Sequence, residues 1–302
     1  HSTLHRPRTP RAAASFLRRR SLRVYLGYLP FLALMMLIRW HYQPDGFEQR
    51  SIWRSIFLTP HKLVERMLPI SWTLTYELFF YLVFAATLFI GRRKALAFWS
   101  VFAVAVLYYR FGSDGSLPGA ERVRLFWRRD LDGEWWVWWR VVSSPLVLEF
   151  IGGVFLAATV ERWRYRVWLL PVAAIGIVIA VWQGVAHDME RQVDRPFSFG
   201  VASLFVVLAL VVLESNGIYR ASSRWIAMGD ASYTLYLAHI VALGWLALVG
   251  FRGWFTSSLG WLGPELYAIG FVAAIWAISL VYYRWVERPL YRGAVAVTGP
   301  RR

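Results

Sequence analysis

Long apolar windows alternate with short polar breaks along the chain, at 24–39, 70–90, 95–111, 141–160, 167–186, 197–213, 231–250 and 265–283. An α-helix rises 1.5 Å per residue, so about 20 apolar residues cross a hydrocarbon core of about 30 Å. The pattern therefore predicts an all-α, polytopic transmembrane bundle of about eight spanning helices. The windows at 24–39, 95–111 and 197–213 are short for a span, which leaves the count open by one. The longest polar stretch, 112–140, ends in Glu134-Trp-Trp-Val-Trp-Trp139, where tryptophans beside arginines predict an interfacial helix at headgroup level. Such a cluster serves as an anchor or, alternatively, as a stacking platform for a sugar.

Composition supports the bilayer as solvent. Of 302 residues, 58% are hydrophobic and 18% aromatic, against about 45–50% apolar in soluble domains. The absence of cysteine excludes disulfides, thiolate nucleophiles and Cys-ligated metals. A net charge of +16 would suit nucleic acid, but the arginines lie between apolar runs and follow membrane topology instead, so no nucleic-acid partner is expected. With residues 1–23 on the cytoplasmic side and alternating spans, the inner segments collect most of the basic residues and few acids. Both termini are thus expected in the cytoplasm, with 1–23 and 290–302 as basic segments flanking a single transmembrane domain over 1–302. Position 1 is His and residues 1–24 lack the apolar core of a signal peptide, so the N-terminus is read as incomplete.

Ionisable residues inside membrane-grade helices are costly, about 2.5–3.5 kcal/mol for a charge at the helix centre, and so mark candidate sites. Arg20 and Arg23 share a helix face at the cytoplasmic end of the first span. Such a pair can grip a phosphate bidentately, or simply anchor on lipid phosphates. Thr73, Glu77 and Tyr81 recur at i, i+4 and i+8, a polar stripe with Glu77 roughly 10 Å deep. Glu77 would orient a hydroxyl or a catalytic imidazole, or pair with an arginine. Asp230 precedes Ala231-Ser232 with the grammar of an N-cap. Ser232, Tyr236 and His239 share the face of the next helix. An imidazole roughly 12 Å inside suits a general base near neutral pH, or a buried hydrogen-bonding partner. Arg284 and Glu287 are spaced to pair at i, i+3, and Pro289 is expected to end that helix. Glu149 beside Gly152-Gly153 suggests close helix packing. No Gly-rich phosphate loop, Gly-x-Ser-x-Gly elbow, His-Glu-x-x-His or other metal pattern occurs.

Five segments in this order carry a resemblance. They are Phe16-Leu-Arg-Arg-Arg20-Ser-Leu-Arg23-Val-Tyr25, Trp72-Thr-Leu-Thr-Tyr-Glu77-Leu-Phe-Phe-Tyr81 and Leu148-Glu-Phe-Ile-Gly152. Gly229-Asp-Ala-Ser-Tyr233-Thr-Leu-Tyr236-Leu-Ala-His239 and Trp285-Val-Glu-Arg-Pro289 complete the set. Over nearly its whole length the chain resembles the bacterial acyltransferase 3 family of integral-membrane O-acyltransferases. The resemblance implies transfer of an acyl group, usually acetyl, from acyl-CoA as co-substrate to a hydroxyl of a cell-surface carbohydrate or lipid-linked acceptor at the bacterial inner membrane, with no bound cofactor. It implies acyl-CoA binding at Arg20 and Arg23, catalytic roles for Glu77 and His239, and support from Trp72, Asp230, Tyr233 and Tyr236. The family's proposed catalytic histidine lies on a first helix, eleven residues after an Arg or Lys, ahead of two spans not found in this sequence. Arg50 and His61 have that spacing, but Pro60 interrupts the helix it needs, so the pair is read as coincidence. Leu26 stands where the family often has proline. The rival readings are a transporter or flippase of lipid-linked sugars and an inactive remnant of an acyltransferase.

Overall fold

The computed structural model describes residues 9–108, 134–186, 196–258 and 260–298, and among these every regular element is helical. The helices are α1 (Pro10–Tyr42), α2 (Pro44–Glu48), α3 (Ile52–Phe57), α4 (Trp72–Thr87), α5 (Arg92–Leu107), α6 (Glu134–Ser143), α7 (Leu146–Trp163), α8 (Leu169–Ala186), α9 (Val201–Ser215), α10 (Ser223–Asp230), α11 (Ser232–Leu248), α12 (Phe251–Ser258), α13 (Gly263–Tyr282) and α14 (Arg288–Thr298). Each expected apolar window falls on a helix. Five helical stretches are long and apolar enough to cross a membrane: Pro10–Tyr42, Pro69–Thr87, Val137–Trp163, Pro196–Ser215 and Gly263–Val297. The pair α10 and α11, bent by 53°, makes a sixth if it counts as one span, and Leu169–Gln183 is a shorter apolar helix. The protein is a multi-pass membrane protein. The tryptophan-rich segment forms α6 and runs into the Val137–Trp163 stretch, with Trp138 and Trp139 about half exposed. Most of the 112–140 stretch lies outside the described residues.

The chain divides into two compact units. The first comprises residues 1–14 and 82–220, the second residues 15–81 and 221–302. In the first unit α9 packs on α7 and α8 through glycines. A Cβ on Gly176 would lie 2.5 Å from the Phe205 ring, and Gly152 faces Leu204 in the same way. Glu149 stands against Gly200, so close packing around this acid depends on Gly200 as much as on the expected Gly152-Gly153 pair. Arg92 donates to the Ala158 carbonyl, tying α5 to α7.

In the second unit α1 and α11 run side by side in one direction, with Gly27 against the Tyr233 ring and Met35 Cε reaching Gly244. α4 and α13 run the other way. Phe16 meets Tyr81 edge-on at 5.8 Å, and Phe31 meets Tyr282 at 5.2 Å. α1 starts cleanly because Thr9 Oγ1 accepts the Ala12 N–H at 3.2 Å and Pro10, at the first helical position, has no N–H to satisfy.

Two local expectations fail for identifiable reasons. Pro289 does not end the last helix. A π turn over Tyr283–Glu287 precedes it, and the Arg288 N–H reaches back to the Tyr283 carbonyl. The missing proline N–H falls where the bonding register changes, so the helix resumes as α14. The wider turn also unstacks residues three apart, and Glu287 bonds Thr234 instead of pairing with Arg284. Asp230 is not an N-cap. It is the last residue of α10, whose own cap is Ser222, accepting the Trp225 N–H at 3.4 Å. Ala231 precedes α11 at the bend, and no side chain caps that helix.

Gly176→Val is expected to overpack the α8–α9 contact. The cost would be about 1–3 kcal/mol, read as a lower Tm of the detergent-solubilised protein.

Candidate functional site

A ladder of polar groups runs through the second unit, assembled from helices that are otherwise apolar. At one end Arg20, exposed, lies over the Tyr81 ring at 5.4 Å and over Phe16 at 5.9 Å. The Tyr81 hydroxyl donates to Glu77 Oε1, one helical turn away on α4. One further turn along the same stripe, the Thr73 and Tyr236 hydroxyls share a hydrogen bond, and both reach the Ile70 carbonyl, at 3.1 and 3.2 Å. The Tyr236 ring sits 5.9 Å from that of His239. The i, i+4, i+8 spacing on α4 thus joins Arg20 on α1 to Tyr236 and His239 on α11. Trp72 packs edge-on against Tyr76 at 5.8 Å, at the start of α4.

His239 itself is half-buried, and its Nδ1 lies 3.0 Å from the Leu235 carbonyl. A carbonyl only accepts, so Nδ1 carries the proton and a neutral ring presents its lone pair at Nε2. This geometry serves proton acceptance as well as structure.

Arg23, also exposed, belongs to a second group at the same end of the unit. Its charge acts on Glu287, which is 5% exposed and accepts from the Thr234 hydroxyl. Tyr283 lies within electrostatic reach of Asp230, Arg288, Glu287 and Arg23. Tyr233 donates to the Val24 carbonyl at 2.9 Å, and Gly27 admits its ring, because any Cβ there would collide with it. The structure therefore brings Arg20, Arg23, Glu77, Tyr233, Tyr236, His239 and Asp230 into one unit. Glu149 lies in the other.

The sequence did not point to what lies at the far end of α1. Residues 43–71 fold over that end, pinned by Tyr28 Oη to the Ser55 carbonyl at 2.8 Å, Tyr25 Oη to the Phe57 carbonyl at 3.1 Å and Arg39 Nε to the Met67 carbonyl at 2.9 Å. Leu58 takes a left-handed conformation (φ 53°) to close α3, a strain of about 1–2 kcal/mol that the surrounding contacts must outweigh. Inside this cap lies Arg66, 4% exposed, donating to Ser71 Oγ at 3.3 Å, Thr75 Oγ1 at 3.1 Å and the His61 carbonyl at 3.4 Å. Arg50 donates to the Arg66 carbonyl at 2.6 Å. His61, also 4% exposed, places Nδ1 2.6 Å from the Thr59 carbonyl. Burial, then the Arg66 charge, holds its pKa down at about 4, so the ring is neutral at physiological pH. Burial likewise lowers Arg66 to about 10, where it stays charged. No periodicity flags these residues, because they sit in turns and short helices whose contacts are tertiary.

Among the described residues no cluster of three or more His, Asp and Glu could hold a metal ion.

Comparison with known proteins agrees with this assembly. The model of the acyltransferase 3 family, described as an acyltransferase domain, matches residues 3–283. The "Exopolysaccharide production protein ExoZ" of Rhizobium meliloti (strain 1021) is 27% identical over 226 residues. Those residues are 74% of this chain, and the match spans 61% of that protein's length. No solved structure matches.

Replacing Thr234 with Val would leave the buried Glu287 carboxyl without its hydroxyl donor. Thr234→Val is expected to cost about 1–3 kcal/mol, measured as loss of thermal stability in detergent.

Proposed function

Because the chain belongs to the acyltransferase 3 family, we propose that it is a membrane O-acyltransferase moving an acyl group, acetyl in the simplest case, from acyl-CoA to a hydroxyl of a cell-surface or lipid-linked carbohydrate. The observation that carries this reading is the polar ladder from Arg20 through Tyr81, Glu77, Thr73 and Tyr236 to His239. It links an exposed cationic end to a proton-accepting imidazole through a bundle that lipid would otherwise keep apolar. The relative's printed name, an exopolysaccharide production protein, supports a polysaccharide acceptor.

In this reading the CoA phosphates dock on Arg20 and Arg23 at the cytoplasmic face of an inner membrane, with both termini on that side. Arg20, stacked on Tyr81, is pre-oriented, and Arg23 is held near Glu287 and Asp230. The acceptor hydroxyl oxygen attacks the thioester carbonyl and the C–S bond breaks. The hydroxyl proton passes to a base and then to the departing thiolate, giving free CoA thiol. His239 Nε2 is the base this chain offers, and Glu77 with Tyr81 and Tyr236 orients the reacting groups. The thioester supplies the driving force, so the protein contributes proximity and proton removal.

The 53° break between α10 and α11 is the one observation favouring a transporter of lipid-linked sugars, since broken helices line such paths. Acyl transfer discriminates the two. In membranes carrying the protein, Arg20→Gln and Arg23→Gln should each lower kcat/KM for acetyl-CoA at least about tenfold, the worth of a charge-assisted phosphate contact. His239→Gln should lower kcat more than KM. Unchanged acetyl transfer in the Arg20→Gln/Arg23→Gln double variant would remove the arginines from the mechanism.

A further inference from the structure

The cap over the end of α1 holds more cationic and polar capacity than its fold uses. Arg66 Nε, His61 Nε2 and Arg50 Nε are all buried, and none has a hydrogen-bond partner among the described residues. The three residues are contiguous, because Arg50 bonds the Arg66 carbonyl and Arg66 bonds the His61 carbonyl. Arg39 lies close enough to Arg50 for the two charges to repel, while Glu65 is the acid whose charge reaches Arg66. Buried donors and cations left this way are costly unless something completes them.

The chemistry of the open atoms is specific. Arg66 Nε and Arg50 Nε are N–H donors on permanent cations, which suit an oxyanion. His61 is different. Its Nδ1–H is spent on the Thr59 carbonyl, so its neutral ring offers only an acceptor at Nε2, which suits a hydroxyl and repels an anion. One ligand class presents an oxyanion and a hydroxyl side by side on a small rigid frame. We propose that the Arg50–His61–Arg66 centre is a binding site for an anionic sugar, with the arginines on its carboxylate or phosphate and His61 accepting from a neighbouring hydroxyl.

This deepens the carbohydrate-acceptor reading and rests on it for the choice of a sugar. Along α1, Arg39 at the cap is 16 residues beyond Arg23, or about 24 Å of helix. An acceptor gripped here by its charge would enter from the end of the unit opposite the acyl-CoA arginines.

The test is binding and needs no acyl transfer. The whole chain in detergent is titrated with sodium glucuronate, glucose 1-phosphate, neutral glucose, and sodium chloride at matched ionic strength, following Tm. At least one anionic sugar should raise Tm saturably where glucose and sodium chloride do not. The better of the two distinguishes a sugar carboxylate from a sugar phosphate as the recognised group. Arg50→Gln and His61→Leu should each weaken the apparent affinity about tenfold or more; Arg66 is left intact because it also holds Ser71 and Thr75. The site is refuted if neither anionic sugar exceeds the salt control, or if the response survives in both variants. Saturable binding without any acetyl transfer would count against the enzyme reading and leave the site standing.

Discussion

A bilayer offers no hydrogen bonds, so every polar group carried into it must find its partner within the protein. That constraint organises the second unit. Glu77 takes the Tyr81 hydroxyl, Glu287 takes the Thr234 hydroxyl, Tyr233 gives its proton to a carbonyl of α1, and Tyr236 meets Thr73. Each of these bonds except the Glu77–Tyr81 pair joins two different helices. The groups that give the unit its chemistry are therefore also what fixes its helices in register. An acyltransferase needs such an arrangement, because a proton must leave a hydroxyl in a place where free water would hydrolyse the thioester instead.

How much of this was legible depends on whether a feature is periodic. The spanning helices were, because a membrane helix is a run of apolar residues and little else. So was the polar stripe of α4, since Thr73, Glu77 and Tyr81 keep one face by spacing alone. The direction of His239 was also legible, because Tyr236 three residues before it had to share its side of α11. The ends of helices were less so. Asp230 has the grammar of a cap, but Ser222 eight residues earlier has it too, and the choice between them is made by the short helix α10 and the bend after it. Pro289 reads as a stop until a π turn removes the clash it would cause.

The cap over residues 43–71 was not legible at all. Arg39, Arg50, His61 and Arg66 come from a helix end, two turns and a short 3₁₀ stretch, with separations that match no repeat. Arg66 reaches Ser71 and Thr75 across the 3₁₀ turn at Pro69–Ser71, a path fixed by tertiary packing. A cation just ahead of an apolar window looks like an ordinary membrane anchor, and only burial at 4% exposure shows otherwise.

The central claim is that this unit spans the bilayer with its acyl-donor arginines on one side and its cap on the other. The chain has no cysteine, so single cysteines report without background. Glu48→Cys lies in the cap, and Arg292→Cys lies in α14 beyond the Arg23 end. In sealed right-side-out vesicles a membrane-impermeant maleimide should label Glu48→Cys at once and Arg292→Cys only after permeabilisation. Equal labelling of both from the outside would contradict the account.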